Sequence, residues 1–169
     1  TQEFNLEDLE YKLDNVHVLS GADGSKSTNN NASAAQPPKK YTDLLEVPYG
    51  LIAYFDLEEG MAAAKALNKP VMLDFTGHSC ANCRKMEQEV WKNPEVLKLM
   101  REEFVLVSLY VDESKELPIE EQHTAPNGDR IETVGNQNLE YETTKFGFNA
   151  QPLYKFLDLK GNSLSDVNY

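Results

Sequence analysis

The chain holds two cysteines, Cys80 and Cys83, three positions apart within LDFTGHSCANCRKMEQEVW, residues 73–91. Three chemistries use two thiols at that spacing. A structural disulfide would close a loop of about four residues and add roughly 2 kcal/mol, against about 4 to 5 kcal/mol for a long loop, so stability alone is a poor reason for it. A metal or copper site could take both thiolates with His78 as a third ligand. A closed structural zinc site wants four ligands, however, and His17 and His123 are distant in sequence. The third chemistry is thiol–disulfide exchange, which needs one accessible thiolate and a second sulfur able to release the partner.

The surroundings favour exchange. Cys80 falls at the start of a helix, where unpaired N–H groups and the macrodipole stabilise a thiolate. Cys83, one turn on, points toward the core, within reach of a mixed disulfide formed on Cys80. Gly77 and Ser79 are small and are expected to leave room for a partner's backbone. A CxxC alone is a moderate signal; one that joins a buried strand to a helix within a βαβ unit is a strong one.

The elements that must position this pair can be read outward from it. VMLDF (71–75) is a buried strand, and CANCRKMEQEVW starts a helix that resumes as NPEVLKLMREEF (93–104) after a break at Pro94. FVLVSLYVD (104–112), β-branched and aromatic throughout, is the strongest strand. Upstream, LIAYF (51–55) reads as a short strand. DLEEGMAAAKALN (56–68) reads as a helix capped by Asp56, with Leu57, Met61, Ala64 and Leu67 as its apolar stripe. Downstream lies a polar stretch, 113–137, with a hairpin at Asn127-Gly128. A short helix (138–148) and a strand, Lys160-Gly161-Asn162 turn and second strand (152–169) complete the chain. Trp91, Phe104, Tyr110, Tyr154 and Phe156 are expected to be packing residues. Alternating strands and helices make this an α/β chain built on a central sheet.

Residues 1–19 read as an extended segment, and residues 20–40, rich in Ser, Asn, Ala and Gly, as a flexible linker that cannot bury enough surface to offset its ordering entropy. Tyr41–Pro48 re-enters the fold. The expected division is an extension over 1–49 and a domain over 50–169. Hydrophobic residues make up 40% of the 169, enough for a core that needs no disulfide scaffold. The net charge of −12 disfavours nucleic acid and anionic membrane surfaces as partners. The acidic run DESKELPIEE (112–121) reads as a solvated face, with a partner-steering patch as the alternative. No stretch approaches the roughly 18 apolar residues of a membrane span, and none reads as a signal peptide. Beginning at Thr1, the sequence is expected to be a soluble piece of a longer protein, and monomeric by itself.

VMLDFTGHSCANCRKME resembles the thioredoxin superfamily, whose pattern is a hydrophobic strand with an acid six residues before the first cysteine; Asp74 holds that place. With KPVMLDF, CRKME and a helix leading into VWKNPEV, the stretch from about Asp56 to Gly161 is most similar to the C-terminal periplasmic domain of transmembrane thiol:disulfide interchange proteins of the DsbD type, in members from Bacteroides-like bacteria. The resemblance implies a thioredoxin-like fold, a central mixed β-sheet flanked by helices. It implies Cys80 as exposed nucleophile, Cys83 as buried resolving thiol, and Asp74 as a buried carboxylate beneath them that relays a proton. Glu87, four residues after Cys83, matches a second acid of the family. Two carboxylates near the pair would raise the cysteine pKa against the helix dipole. Pro152 matches the family's cis-proline facing the cysteines, holding the Gln151 backbone exposed for a substrate segment to pair as an added strand. His78 and Ser79 complete the expected substrate-contacting rim. The plainer alternatives are a locally satisfied Asp74, a solvated Glu87 and an ordinary trans Pro152.

The sequence departs from the family pattern in three places. Ser79 stands where an aromatic is typical, and Ala81-Asn82 separates the cysteines instead of Gly-Pro. The stretch 113–137 is long enough to form a flap near the site. The chain stops at Tyr169, where a thioredoxin fold adds a last helix, so either that helix is removed or one sheet face is covered by another segment, residues 1–19 being the candidate. The implied function is a periplasmic thiol–disulfide oxidoreductase of the reductase type, the soluble domain of an inner-membrane protein. It would need no cofactor, draw electrons from a membrane-embedded donor domain and pass them to envelope protein disulfides, cytochrome c biogenesis included. A free thioredoxin-like oxidant or isomerase is one alternative; a metal or copper module of Cys80, Cys83 and His78 is the other.

Overall fold

The computed structural model describes residues 35–164; residues 1–19, most of 20–40, and 165–169 lie outside the described residues. A four-stranded mixed sheet organises the chain, formed by β1 (Ala53–Tyr54), β2 (Val71–Thr76), β3 (Val105–Tyr110) and β6 (Leu153–Leu157) in the order β1-β3-β2-β6. The first three run parallel, and β6 is antiparallel to β2. β2 and β3 are buried at every position, which is why they read as continuous apolar runs rather than alternating ones.

Helix α1 (Leu57–Leu67) is capped by Asp56, which accepts the Glu59 N–H at 2.9 Å, and ends at Asn68 in the left-handed conformation. Of the expected stripe, Ala64 is buried and Leu57 and Met61 pack partly buried on the same cluster, whereas Leu67 is exposed; Gly60 and Ala63 complete the buried face. The helix comes close to β3 at Gly60, where a Cβ would run into Val107 Cγ2.

Helix α2 (Ala81–Met86) runs into a π-helical turn (Glu87–Trp91), and after Asn93, which caps by accepting the Glu95 N–H, α3 (Pro94–Glu102) begins with proline in its first turn. Cys83, Glu87 and Trp91, spaced by four, are all buried. On a straight α-helix that spacing drifts by roughly 40° per step, because a turn takes 3.6 residues. The wider π turn cancels the drift and keeps all three inward.

The stretch 113–137 is a small lobe. Its hairpin, β4 (His123–Thr124) with β5 (Arg130–Ile131), turns at Asn127-Gly128 as expected. Leu117, Ala125, Ile131 and Val134 give it a core of its own. It is pinned to α4 (Val134–Phe146), whose capping box joins Thr133 and Asn136. The second strand expected after the 160–162 turn is, among the described residues, a single bridge between Leu157 and Ser163.

The sheet separates two apolar clusters. Val71, Leu73 and Phe75 of β2 pack with Val107, Leu109 and the α1 alanines. Met72 packs on the other side with Leu106, Tyr110, Tyr154, Trp91 and Met100. The two-residue alternation therefore directs Met72, Asp74 and Thr76 to the face beneath α2 and its π turn. Residues 41–49 pack on this same side: Leu45 is buried, Tyr49 donates its O–H to the Glu87 carbonyl at 3.0 Å, and Tyr110 donates to the Glu46 carbonyl at 2.9 Å. No helix among the described residues is long and apolar enough to cross a membrane.

Candidate active site

Strands β2 and β3 are paired in register from Val71↔Val105 to Thr76↔Tyr110, so they end side by side. The segments that leave the two strands must therefore meet. After Thr76 come Gly77, His78 and Ser79, leading to Cys80; after Tyr110 come Asp112 and Glu113. The Asp112 carboxylate receives two backbone N–H groups, His78 at 2.8 Å and Ser79 at 3.0 Å. It lies over Gly77, where a Cβ would stand 3.0 Å from the carboxylate atoms. The space expected beside Gly77 for a partner's backbone is thus filled by Asp112.

Cys80 is the N-cap of α2, and its Sγ accepts the Cys83 N–H at 3.1 Å. The two sulfurs are joined in a disulfide, S–S 2.01 Å. Cys80 is half-buried and Cys83 is 2% exposed, which gives the asymmetry that exchange requires: one sulfur at the rim, its companion behind. His78 is exposed and directs Nε2 to Glu113 Oε2 at 2.8 Å, with its ring against Tyr110, centroids 4.8 Å apart. Among the described residues no three His, Cys, Asp or Glu side chains are grouped to hold a metal. His123 lies elsewhere, paired with Glu140 at 2.8 Å, and His17 lies outside the described residues.

The two acids behind the pair are both buried. Asp74, 2% exposed, accepts the Ser108 Oγ–H at 2.7 Å. Burial pushes its pKa up to about 7; the Ser108 hydrogen bond opposes that rise, the Glu87 charge adds to it, and Arg84 opposes it. Glu87 is buried rather than solvated, and its pKa is raised by desolvation against the pull of Arg84. Arg84 NH2 spans Thr76 Oγ1 at 3.0 Å and Glu87 Oε1 at 3.1 Å. Its buried Nε has no hydrogen-bond partner among the described residues. Burial also raises Glu113, but the His78 hydrogen bond and the backbone N–H groups of Lys115 and Ser114 outweigh that and leave it below the usual carboxylate range.

The Gln151–Pro152 bond is cis. Leu153 pairs with Phe75, so Pro152 is level with Thr76, the last residue of β2, at the end from which the chain continues to Cys80. The structure thus brings Gly77–Cys80 and the Gln151–Pro152 segment to one end of the sheet, with Asp74 and Glu87 behind on the α2 face. Sequence reasoning missed Asp112, Glu113, Arg84 and Ser108. It also took Tyr110 for a core residue alone; that ring contacts His78 and, with His78, Arg84 and residues 42–46, lines a cavity of about 310 Å³ next to the cysteine loop. The long segment 113–137 contributes Glu113 at its root, the rest being packed on its own core and α4.

A family model described as thioredoxin-like matches residues 52–158. Spermatogenesis-associated protein 20 of Mus musculus is 31% identical over 93 residues, a match covering 50% of this chain and 12% of that protein's length. Among solved structures, the DsbH oxidoreductase is 18% identical with a TM-score of 0.49, covering 85% of this chain and 81% of its own. A disulphide isomerase from Xylella fastidiosa Temecula1 is 19% identical with a TM-score of 0.46, covering 72% and 79%.

Proposed function

The chain belongs to the thioredoxin-like family, and from that premise we propose that it is a thiol–disulfide oxidoreductase working as a reductant of envelope protein disulfides, recharged by a membrane-embedded donor domain. The observation that carries this reading is the unequal pair: Cys80 at the rim on a helix N-terminus, Cys83 buried behind it and bonded to it. The donor domain and the periplasmic setting come from the likeness of KPVMLDF, CRKME and VWKNPEV to DsbD-type proteins.

Two displacements complete one cycle. The Cys80 thiolate attacks one sulfur of the substrate disulfide; the new bond is Cys80 Sγ–S, the substrate S–S bond breaks, and the expelled thiolate takes a proton from solvent. Cys83 then loses its proton and attacks Cys80 Sγ, releasing the second substrate thiolate and closing the Cys80–Cys83 disulfide. Substrate gains two electrons and two protons, and the dithiol loses them. Asp74, with a pKa of about 7, is matched to receive the Cys83 proton near neutrality. A donor dithiol reverses the two steps and restores the reduced pair. The backbone at Gln151, ahead of cis-Pro152, is where an extended partner strand would pair.

The test is equilibration against a glutathione buffer together with trapping by Cys83→Ala. A reductant poises below the buffer and reduces insulin; Cys83→Ala accumulates mixed disulfides through Cys80. If the pair equilibrates as an oxidant, or the variant traps no protein, the reading fails.

A further inference from the structure

After α4, Gly147 in the left-handed conformation turns the chain back toward β6 through residues 148–151. This connection is tied to the helix by one side chain. Glu142 is fully buried, and each of its oxygens accepts one bond: Oε1 from the Ala150 N–H at 3.0 Å, Oε2 from Gln151 Nε2 at 2.7 Å. A buried carboxylate costs desolvation that an apolar residue at the same helical position would avoid. What offsets that cost here is the pair of donors it grips, and they belong to the two residues immediately before cis-Pro152.

We propose that Glu142 is a positioning residue for partner recognition: by gripping the Ala150 N–H and the Gln151 amide it fixes the backbone ahead of Pro152 against which an extended protein substrate pairs. This rests on the oxidoreductase reading above. Glu142 acts through Gln151 and not on sulfur, so its contribution is confined to substrates long enough to lie along that backbone. A small disulfide that meets only Cys80 does not use it.

Glu142→Gln keeps the shape but leaves one acceptor for two donors, and turns its own NH2 toward a donor. Steady-state reduction of insulin and of hydroxyethyl disulfide is measured on the full chain with dithiothreitol as electron source. The KM for insulin is expected to rise about tenfold, the scale of one charge-assisted hydrogen bond, with kcat and the hydroxyethyl disulfide rate little changed. The double variant Glu142→Gln/Gln151→Glu restores the polarity of both bonds, since the amide oxygen introduced on α4 accepts from Ala150 and the amide NH2 donates to the carboxylate introduced beside Pro152; the insulin KM is expected to return toward wild type. Should Glu142→Gln not fold, Glu142→Asp, which keeps the charge but withdraws it from Ala150 and Gln151, is expected to give the same split. An unchanged insulin KM, an equal loss on both substrates, or no recovery in the double variant overturns the positioning role while leaving the function intact. A wild-type chain that turns over neither disulfide overturns the function and the role together.

Discussion

Ser108 donates its hydroxyl to Asp74 at 2.7 Å across a paired position of β3 and β2, and both residues are closed off from solvent. A carboxyl there has two ways to exist. Neutral, it avoids desolvation; ionised, it is held by one hydroxyl and by the Arg84 charge, against the Glu87 charge. Burial wins up to about pH 7, which makes Asp74 an internal acid–base group that titrates near neutrality.

That balance fixes the sign of a pH effect on the oxidised protein. The folded pKa of about 7 lies above the ordinary 3.8, so folding holds the proton that the unfolded chain gives up. The stabilisation is complete below about pH 4 and is lost as pH rises through the window to about 7. Asp74→Asn has no charge to bury, and its Oδ still accepts from Ser108. Urea denaturation of the two proteins should therefore diverge with pH, the variant gaining on wild type by up to about 4 kcal/mol between about pH 4 and pH 8. Parallel stability curves would mean that Asp74 ionises freely in the fold. Ser108→Ala removes a bond that favours the ionised form and should move the transition upward.

The loop before Cys80 is held from β3 rather than from its own strand. Asp112→Ala should abolish hydrogen-exchange protection at the His78 and Ser79 amides while leaving β2 protected. Gly77→Ala forces a methyl against the same carboxylate and should cost about 1–3 kcal/mol. The cost should shrink when Asp112→Ala is also present, since the two changes share one contact. Additive energies in that cycle would show that Gly77 is needed for something other than Asp112.

A second glycine reverses the usual sign of a helix substitution. Alanine for glycine in a helix interior ordinarily gains about 1 kcal/mol. Gly60→Ala should instead destabilise by about 1–3 kcal/mol, because its methyl would meet Val107 Cγ2. Val107→Ala should lessen that loss. Thermal or urea unfolding of the four proteins decides it.

These glycines mark where sequence reading stops. Cys80, Cys83 and the strand and helix around them were legible because the relevant signals are local: an apolar run, a turn, and two thiols one helical turn apart. Asn127-Gly128 and Asp56 were legible for the same reason, since turn and cap chemistry act within a few residues. The site's remaining groups depend on register. Asp112 and Glu113 looked like the start of a solvated acidic run, and only the pairing Thr76↔Tyr110 puts them beside His78. Ser108 is one polar residue in an apolar strand until its place opposite Asp74 is known. Glu142 resembles any helical glutamate until the 147–151 connection folds back on it. Along α1 the stripe holds at Leu57, Met61 and Ala64 and fails at Leu67, while the close approach of Gly60 to Val107 depends on a neighbouring strand that periodicity does not see.

Arg84 and Glu87 act on Asp74 with opposite signs, and this separates an electrostatic role from a structural one. Arg84 spans Thr76 and Glu87 through one guanidinium nitrogen, and its charge favours the ionised form of both Asp74 and Glu87. Glu87, when ionised, disfavours ionisation of Asp74. Glu87→Gln should therefore lower the pKa of Asp74 below about 7, and Arg84→Met should raise it and raise Glu87 as well. Carboxyl-carbon NMR titration of the oxidised protein reads both directly. In the reduced protein the same shifts should carry into the pH dependence of the Cys83 displacement step, moving the acid limb of the rate profile down for Glu87→Gln and up for Arg84→Met. A packing defect alone would lower the rate at every pH without moving the limb. If both variants shift the limb the same way, the two charges are not acting on Asp74, and the proton acceptor for Cys83 has to be sought elsewhere.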